Sequence, residues 1–154
     1  MATIVVLNGQ NMGEWYTIGK RAFVFGRDNN LLAQIKDPCV SRKHMEVRYE
    51  NSDGCYYAVD MESHNGVFVN GERIVKFKML HEGDLIQIGH TLLAFTLDEF
   101  DDDTQARRYL RNCEKKFHNE INHMQEAEEE RREHLSGATM GLRSLLPFGR
   151  WRKE

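Results

Sequence analysis

The sequence contains only three cysteines, and no two of them are spaced as Cys-x-x-Cys. An odd number of cysteines without a paired spacing is typical of a reducing compartment, and it argues against a disulfide framework or a zinc site. His118, His123 and His134 are not four residues apart, so a helical pair of metal-binding histidines is also excluded. We therefore expect no metal and no other cofactor.

Long apolar runs are missing as well. No stretch of 18 apolar residues occurs, so the sequence predicts no membrane span. Residues 1–7 lack a basic region and lead directly into strand-like sequence, which argues against a signal peptide. The formal net charge is −3, so no overall basic field attracts nucleic acid. We expect a cytoplasmic protein, or a nuclear one if the cell is eukaryotic, without a nucleic-acid partner.

The signatures of common catalytic sites are absent too. The chain has no Gly-x-Ser-x-Gly turn, no Gly-x-x-x-x-Gly-Lys-Ser/Thr loop and no kinase motif. Ser41 and His44 are three residues apart, and in a strand or loop this spacing does not ensure contact between a nucleophile and a base. The sequence therefore predicts a protein that is not an enzyme.

Short runs of β-branched and aromatic residues, separated by Gly, Asn and Asp, fill the first two thirds of the chain. Turn signals recur about every eight to twelve residues, which is typical of a β-sandwich or barrel. The predicted strands are 3–7, 14–18, 22–25, 33–35, 43–49, 55–60, 67–69, 73–74, 84–88 and 91–97.

Three loops between these strands carry side chains that bind anions. They contain Gly26-Arg27, then Ser41-Arg42-Lys43-His44, then Ser63-His64-Asn65-Gly66, and the hairpin turn Asn70-Gly71 follows. An arginine is a planar cation that binds phosphate in a bidentate manner, and serine and asparagine add neutral hydrogen bonds. The pattern therefore predicts a local anion site on a β scaffold.

In this order and at these separations, the motifs resemble those of forkhead-associated (FHA) domains, which bind phosphothreonine peptides. The resemblance covers about residues 3–97 and implies an all-β sandwich of about eleven short strands, with its binding loops at one end. It implies a phosphothreonine-peptide-binding adaptor or regulator in Ser/Thr kinase signalling. The implied partner is a threonine-phosphorylated protein or peptide.

The resemblance also implies a role for each binding residue. Arg27 and Ser41 would be the phosphate ligands, and Arg42 and His64 would line the pocket. The family often has a small hydroxyl residue at the position of His64, so an imidazole there would make phosphate contact dependent on pH. Asn65 would bind the peptide backbone through its amide.

Four further residues are expected to support the site. His44 would tie the loops together beneath it, Gly26 and Gly66 would allow tight loops, and Asn70 would form a hairpin turn. The loop of residues 38–40, where the family often sets a preference for the third residue after the phosphothreonine, contains no cation. We therefore expect an apolar third residue.

The composition changes after residue 98. From residue 104 to 135 there is no Gly or Pro, and Asp103 is predicted as the helix N-cap. An apolar stripe recurs at steps of three or four: Ala106, Leu110, Cys113, Phe117, Ile121, Met124 and Ala127. The stripe either packs on the sandwich or, through residues 104–127, pairs with a second copy or a partner helix.

We divide the chain into an FHA-like domain (residues 1–98), an amphipathic charged helix (99–136) and a basic, aromatic tail (137–154). The tail combines leucines and aromatic residues with arginines, and its function is left open. An alternative to phosphopeptide binding is a structural or oligomerising protein that uses the helix and has lost phosphate recognition. The presence of Arg27, Ser41 and Asn65 favours phosphopeptide binding.

Overall fold

The computed structural model describes residues 1–135, and between 119 and 135 it describes the helical backbone and the side chains of 122, 126, 130 and 134. Eleven strands and one helix follow each other within residues 1–135. Their bounds are β1 Ala2–Val6, β2 Trp15–Ile18, β3 Phe23–Gly26, β4 Ala33–Gln34, β5 Met45–Glu50, β6 Cys55–Asp60, β7 Val67–Val69, β8 Glu72–Arg73, β9 Phe77–Met79, β10 Leu85–Ile88, β11 Thr91–Thr96 and α1 Asp103–Leu135. The predicted all-β sandwich with a C-terminal helical extension is confirmed.

The strands form two sheets. One has six strands in the order β2-β1-β11-β10-β7-β8, and the other has five in the order β4-β3-β5-β6-β9. All pairs are antiparallel except β3 with β4. Strand β9 was not among the predicted strands: Phe77, Lys78 and Met79 alternate between apolar and polar, but all three are exposed or half-buried at a sheet edge, so the alternation does not mark a buried face.

The main core lies between the two sheets. Strand β5 shows the principle, because its alternating Met45 and Val47 point inward and are fully buried. They meet side chains of the six-stranded sheet such as Ile4, Ile86 and Phe95, which are also fully buried. The alternation that predicted this strand therefore fixed which face it presents to the core.

A second apolar cluster covers the outer face of the six-stranded sheet. Val5 and Leu85 point to this side, and Ala106, Cys113 and Phe117 of α1 are buried against them. Strand β1 is consequently buried on both faces. The first half of the predicted apolar stripe therefore packs on the chain's own sheet, whereas Ile121, Met124 and Ala127 have side chains outside the described set.

The N-cap of α1 is Asp102 rather than the predicted Asp103. The backbone N–H of Gln105 donates to Asp102 Oδ1 at 2.9 Å, and Gln105 Oε1 accepts the N–H of Asp101 at 3.1 Å. Asp103 has a different partner, since its Oδ1 accepts the indole N–H of Trp15 at 3.0 Å. Because three aspartates are consecutive, residue type alone does not show which of them is the N-cap.

No helix within residues 1–135 is long and apolar enough to cross a membrane. Within residues 1–135, Cys39, Cys55 and Cys113 form no disulfide. The division at residue 98 stays a prediction, and the tail of residues 137–154 lies outside the described residues.

Candidate anion-binding site

Strand register brings the three anion-binding loops to one end of the sandwich. In the five-stranded sheet, Phe25 at the end of β3 pairs with Met45 at the start of β5, and Met45 pairs with Asp60 at the end of β6. The residues that follow or precede these positions are therefore neighbours. They belong to the β3–β4 loop (27–32), the β4–β5 loop (35–44) and the β6–β7 loop (61–66).

His44 links two of these loops from beneath. Its side chain is fully buried, Nδ1 accepts the backbone N–H of Ser41 at 3.0 Å, and Nε2–H donates to the carbonyl of Gly66 at 2.7 Å. These contacts require the neutral imidazole with its proton on Nε2. Burial lowers the pKa of His44, although the hydrogen bond to Gly66 opposes this effect. The ring therefore acts as a neutral connection between the loops.

Gly26 allows β3 to approach the β4–β5 loop closely. A Cβ atom at this position would lie 2.1 Å from the carbonyl oxygen of Arg42. This close approach permits the N–H of Arg27 to donate to Ser41 O at 2.9 Å and that of Asp28 to donate to Arg42 O at 3.2 Å. The backbones that carry the predicted phosphate ligands are thereby joined directly.

Arg27 is held at its Nε atom. Nε–H donates to the carbonyl of Val40 at 3.1 Å, and the residue is exposed. Within residues 1–135 we find no partner for its two terminal nitrogens. Since the Nε bond fixes the direction of the guanidinium, those nitrogens form an oriented donor pair for an anion.

Ser41 and Asn65 contact each other's loops. Ser41 Oγ accepts the backbone N–H of His64 at 3.0 Å, so the hydroxyl proton remains available to a ligand. Asn65 Nδ2 donates to the carbonyl of Cys39 at 2.7 Å, so its Oδ1 remains an acceptor. Arg42 and His64 are exposed beside them. The structure therefore brings Arg27, Ser41, Arg42, His64 and Asn65 to one surface.

Two buried or half-buried aspartates that the sequence analysis did not consider shape the loops. Asp60 Oδ1 accepts both the N–H and the hydroxyl of Ser63, at 3.0 and 2.6 Å, and Ser63 Oγ accepts the N–H of Gly66 at 3.0 Å. Asp37 accepts the N–H of His90 and the hydroxyl of Thr91, both at 2.8 Å. The Asp-x-x-Ser spacing is a local turn signal for Asp60, whereas nothing near Asp37 in sequence indicates its distant partners.

Asn70 lies away from the other predicted site residues. It occupies the β7–β8 turn with φ 51°, Nδ2 donates to Asp84 at 2.9 Å, and Oδ1 accepts the N–H of Leu85 at 3.0 Å. Strand β7 separates it from Gly66 by roughly 13 Å of extended chain. Asn70 therefore stabilises the opposite end of the sandwich.

An open cleft of about 740 Å³ lies beside the site, lined by Arg27, Arg42 and Lys36 but not by Ser41. In the part of the chain that the structure describes, no three His, Cys, Asp or Glu residues are grouped as metal ligands. Both nitrogens of His44 are engaged with backbone groups, so neither serves as a base for the Ser41 hydroxyl. The arrangement can bind a multiply charged anion through guanidinium and hydroxyl donors.

The profile of the FHA domain matches residues 16–89. The glycogen accumulation regulator GarA of Mycobacterium tuberculosis is 36% identical over 94 residues, which are 61% of this chain and 56% of GarA. The oxoglutarate dehydrogenase inhibitor of Corynebacterium jeikeium is 37% identical over 94 residues, 61% of this chain and 63% of the inhibitor. The chain thus spans less than two thirds of these curated relatives.

Solved structures agree with this match. A structure from a study of phosphothreonine-dependent FHA domain interactions is 25% identical and has a TM-score of 0.56. The match covers 64% of this chain and 98% of the chain in that structure. Mycobacterium tuberculosis EmbR in complex with a low-affinity phosphopeptide is 26% identical and has a TM-score of 0.56. The match covers 66% of this chain and 25% of the EmbR chain. Residues 16–89 of the chain therefore match the FHA domain family, and the sandwich has the fold of solved FHA domains.

Proposed function

We propose that this chain binds phosphothreonine peptides and acts as an adaptor or regulator in Ser/Thr kinase signalling. The observation that carries the proposal is the meeting of Arg27, Ser41 and Asn65 on one surface, with donors directed outward and the backbone fixed by His44. A phosphothreonine carries about −1.5 to −2 charges at pH 7 and three strong acceptor oxygens. These donors match that group in charge and in hydrogen-bonding capacity.

Each side chain has a distinct part in this proposal. The terminal nitrogens of Arg27 and the hydroxyl of Ser41 bind the phosphate, and Arg42 adds a second cation at the rim. Asn65 Oδ1 accepts a backbone N–H of the peptide, while Nδ2 keeps or exchanges its bond to Cys39. His64 borders the phosphate through its backbone position next to Ser41 Oγ.

The comparisons support the proposal by similarity. GarA is named as a regulator of glycogen accumulation, and a second relative is named as an inhibitor of oxoglutarate dehydrogenase. The similar EmbR structure contains a phosphopeptide. We extend a regulatory role without catalysis to this chain, because both ring nitrogens of His44 are engaged with backbone groups. Cysteines that form no disulfide within residues 1–135 support a cytoplasmic location.

The oligomerising alternative draws less support from the structure. Ala106, Cys113 and Phe117, which would form the first half of a helix-pairing surface, are buried against the chain's own sheet. A homodimer through residues 104–127 stays a prediction. It does not compete with phosphopeptide binding, since the helix covers the outer face of the six-stranded sheet and the binding loops lie at the end of the sandwich.

An oriented peptide library tests the proposal. Immobilised libraries with phosphothreonine, phosphoserine or unmodified threonine at a fixed position are exposed to the purified full chain. We expect retention on the phosphothreonine library, with dissociation constants for selected peptides near micromolar, about −8 kcal/mol. Ser41→Ala should weaken binding because it removes the phosphate-facing hydroxyl.

The matched control is Ser52→Ala. Ser52 is exposed in the β5–β6 hairpin at the other end of the sandwich, so its hydroxyl should not matter. Equal retention of the chain on phosphorylated and unmodified libraries would contradict the proposed function. Equal losses in Ser41→Ala and Ser52→Ala would contradict the role assigned to Ser41.

A further inference from the structure

Arg73 reaches the binding end of the sandwich from a part of the sequence that the motifs do not include. It pairs with Phe68 across strands β7 and β8, and the next backbone N–H, of Ile74, donates to Val67 O at 2.9 Å. This register carries the chain back toward the β6–β7 loop. Arg73 Nε lies 2.7 Å from the position that a Cβ of Gly66 would occupy, so the guanidinium covers Gly66.

The positive charge of Arg73 has no counter-charge among the described residues. The residue is exposed, and within residues 1–135 it forms no ion pair and no side-chain hydrogen bond. Its neighbour Glu72 is directed to Lys78, at 3.9 Å. Lys76 stands at the other end of the β6–β7 loop, where the N–H of Asp60 donates to its carbonyl at 2.8 Å. Two exposed cations therefore bracket this loop.

The surface from Arg27 to Arg73 is continuous. Ser41 Oγ contacts the backbone of the β6–β7 loop at His64, Asn65 follows, and Gly66 lies directly under Arg73. An extended peptide advances about 3.3 Å per residue. A peptide held at Asn65 by its backbone therefore passes Arg73 within about two to four residues of the phosphothreonine.

We propose that Arg73 is a specificity-determining residue that binds an acidic side chain of the phosphopeptide, on the flank that leaves the site past Gly66. This inference rests on the proposed function. A guanidinium matches a carboxylate by two parallel hydrogen bonds, and an exposed arginine without a partner loses little on binding one. The cation that residues 38–40 do not supply is thereby available from β8.

The test is a set of phosphothreonine peptides with neutral flanks, each carrying one aspartate or one asparagine at a single position within four residues of the phosphothreonine. Dissociation constants are measured for the full chain as wild type, Arg73→Gln, Arg73→Lys and Arg21→Gln. Arg21 is the matched control, because it is an exposed arginine in the β2–β3 turn at the opposite end of the sandwich.

We expect wild type to prefer aspartate over asparagine about three- to fivefold at one position, as is typical of an exposed ion pair. Arg73→Gln should abolish this preference without changing affinity for the neutral-flank peptide, Arg73→Lys should keep part of it, and Arg21→Gln should keep all of it. The preference should shrink at high salt. Selection of aspartate at the third position would also replace the expected apolar residue there.

Three results with the variants would overturn the inference. They are an unchanged aspartate preference in Arg73→Gln, an equal loss of preference in Arg21→Gln, and an equal weakening of neutral and acidic peptides in Arg73→Gln, which would assign Arg73 to packing on Gly66. Phosphothreonine binding without any acidic preference removes this inference alone. Failure of every phosphothreonine peptide to bind wild type removes the proposed function and this inference together.

Discussion

Replacing Gly26 by alanine tests the close approach that joins two of the binding loops. The added Cβ would lie 2.1 Å from the carbonyl oxygen and 2.7 Å from the carbonyl carbon of Arg42, whereas ordinary contact begins at 3.4 Å. Both atoms belong to the backbone, so the β4–β5 loop has to move by about 1 Å. This movement weakens the bonds from the N–H groups of Arg27 and Asp28 to Ser41 and Arg42.

The loss of unfolding free energy in Gly26→Ala can be estimated from these contacts. Overpacking costs about 1–3 kcal/mol, and each weakened hydrogen bond adds up to about 1 kcal/mol. We expect Gly26→Ala to lower the free energy of unfolding by about 2–4 kcal/mol. Gly19→Ala is the control, since no atom lies within 4 Å of its added Cβ and its φ is not in the left-handed region. That variant should change stability by less than about 1 kcal/mol.

Urea unfolding at equilibrium, followed by circular dichroism, gives both free energies. Phosphopeptide affinity is measured in parallel at a temperature where both variants are folded. Gly26→Ala should also bind more weakly, because Arg27 and Arg42 move relative to each other. A Gly26→Ala protein as stable as Gly19→Ala, with unchanged affinity, would refute the reasoning that this glycine is required by backbone contact.

Three further predictions concern stability. Because burial lowers the pKa of His44, the unfolded chain binds more protons, and the free energy of unfolding should fall as pH drops below about 6.5. His44→Gln should lack this part of the pH dependence, and an unchanged slope in that variant would contradict the prediction. Asn70→Ala should lower the free energy of unfolding by about 1–2 kcal/mol, because it removes the hydrogen bonds to Asp84 and Leu85, and it should leave phosphopeptide affinity unchanged. A weaker affinity would show that Asn70 belongs to the binding site. Phe117→Ala should lower the free energy of unfolding, measured in urea, by about 3 kcal/mol, whereas Lys115→Ala, at an exposed residue on the same turn, should hardly change it. Equal effects would mean that α1 does not pack on the six-stranded sheet.

Local patterns predicted most of the strands, and the resemblance to FHA domains predicted which loops form the binding site. The alternation in residues 43–49 matches β5, and the loops with Arg27, Ser41 and Asn65 meet as expected because β3, β5 and β6 are antiparallel neighbours. The start of α1 was predicted to within one residue. The strands and the start of α1 depend on interactions between residues close in sequence, which propensity and periodicity describe, whereas the meeting of the loops was implied by the resemblance to FHA domains.

The features that sequence analysis missed depend on contacts between distant residues. Asp37 holds the β4–β5 loop through His90 and Thr91, which are 53 and 54 residues away in the chain. The position of Arg73 over Gly66 follows from the β7–β8 register, and it is invisible in a motif that ends at Asn70-Gly71. Strand β9 lies at a sheet edge and pairs with the distant β6, and with Phe77 exposed its short alternation does not mark a buried face.

Asn70 shows that residues close together in a sequence motif need not be close in space. It is only four residues from Gly66 in sequence, but an extended strand separates the two and places them at opposite ends of the sandwich. Its contacts with Asp84 and Leu85 explain its presence by stability rather than by binding. Closeness in sequence predicts closeness in space within a turn or helix, and it fails across a strand.

The central claim is that Arg27 binds the phosphate of a phosphothreonine peptide, and calorimetric titration tests it most directly. One selected peptide, with and without phosphate on its threonine, is titrated into wild type, Arg27→Ala and the control Arg21→Ala. We expect micromolar binding of the phosphopeptide to wild type and Arg21→Ala, no measurable binding of the unphosphorylated peptide, and a loss of about 2–5 kcal/mol of binding free energy in Arg27→Ala. Equal affinity of wild type and Arg27→Ala for the phosphopeptide would contradict it.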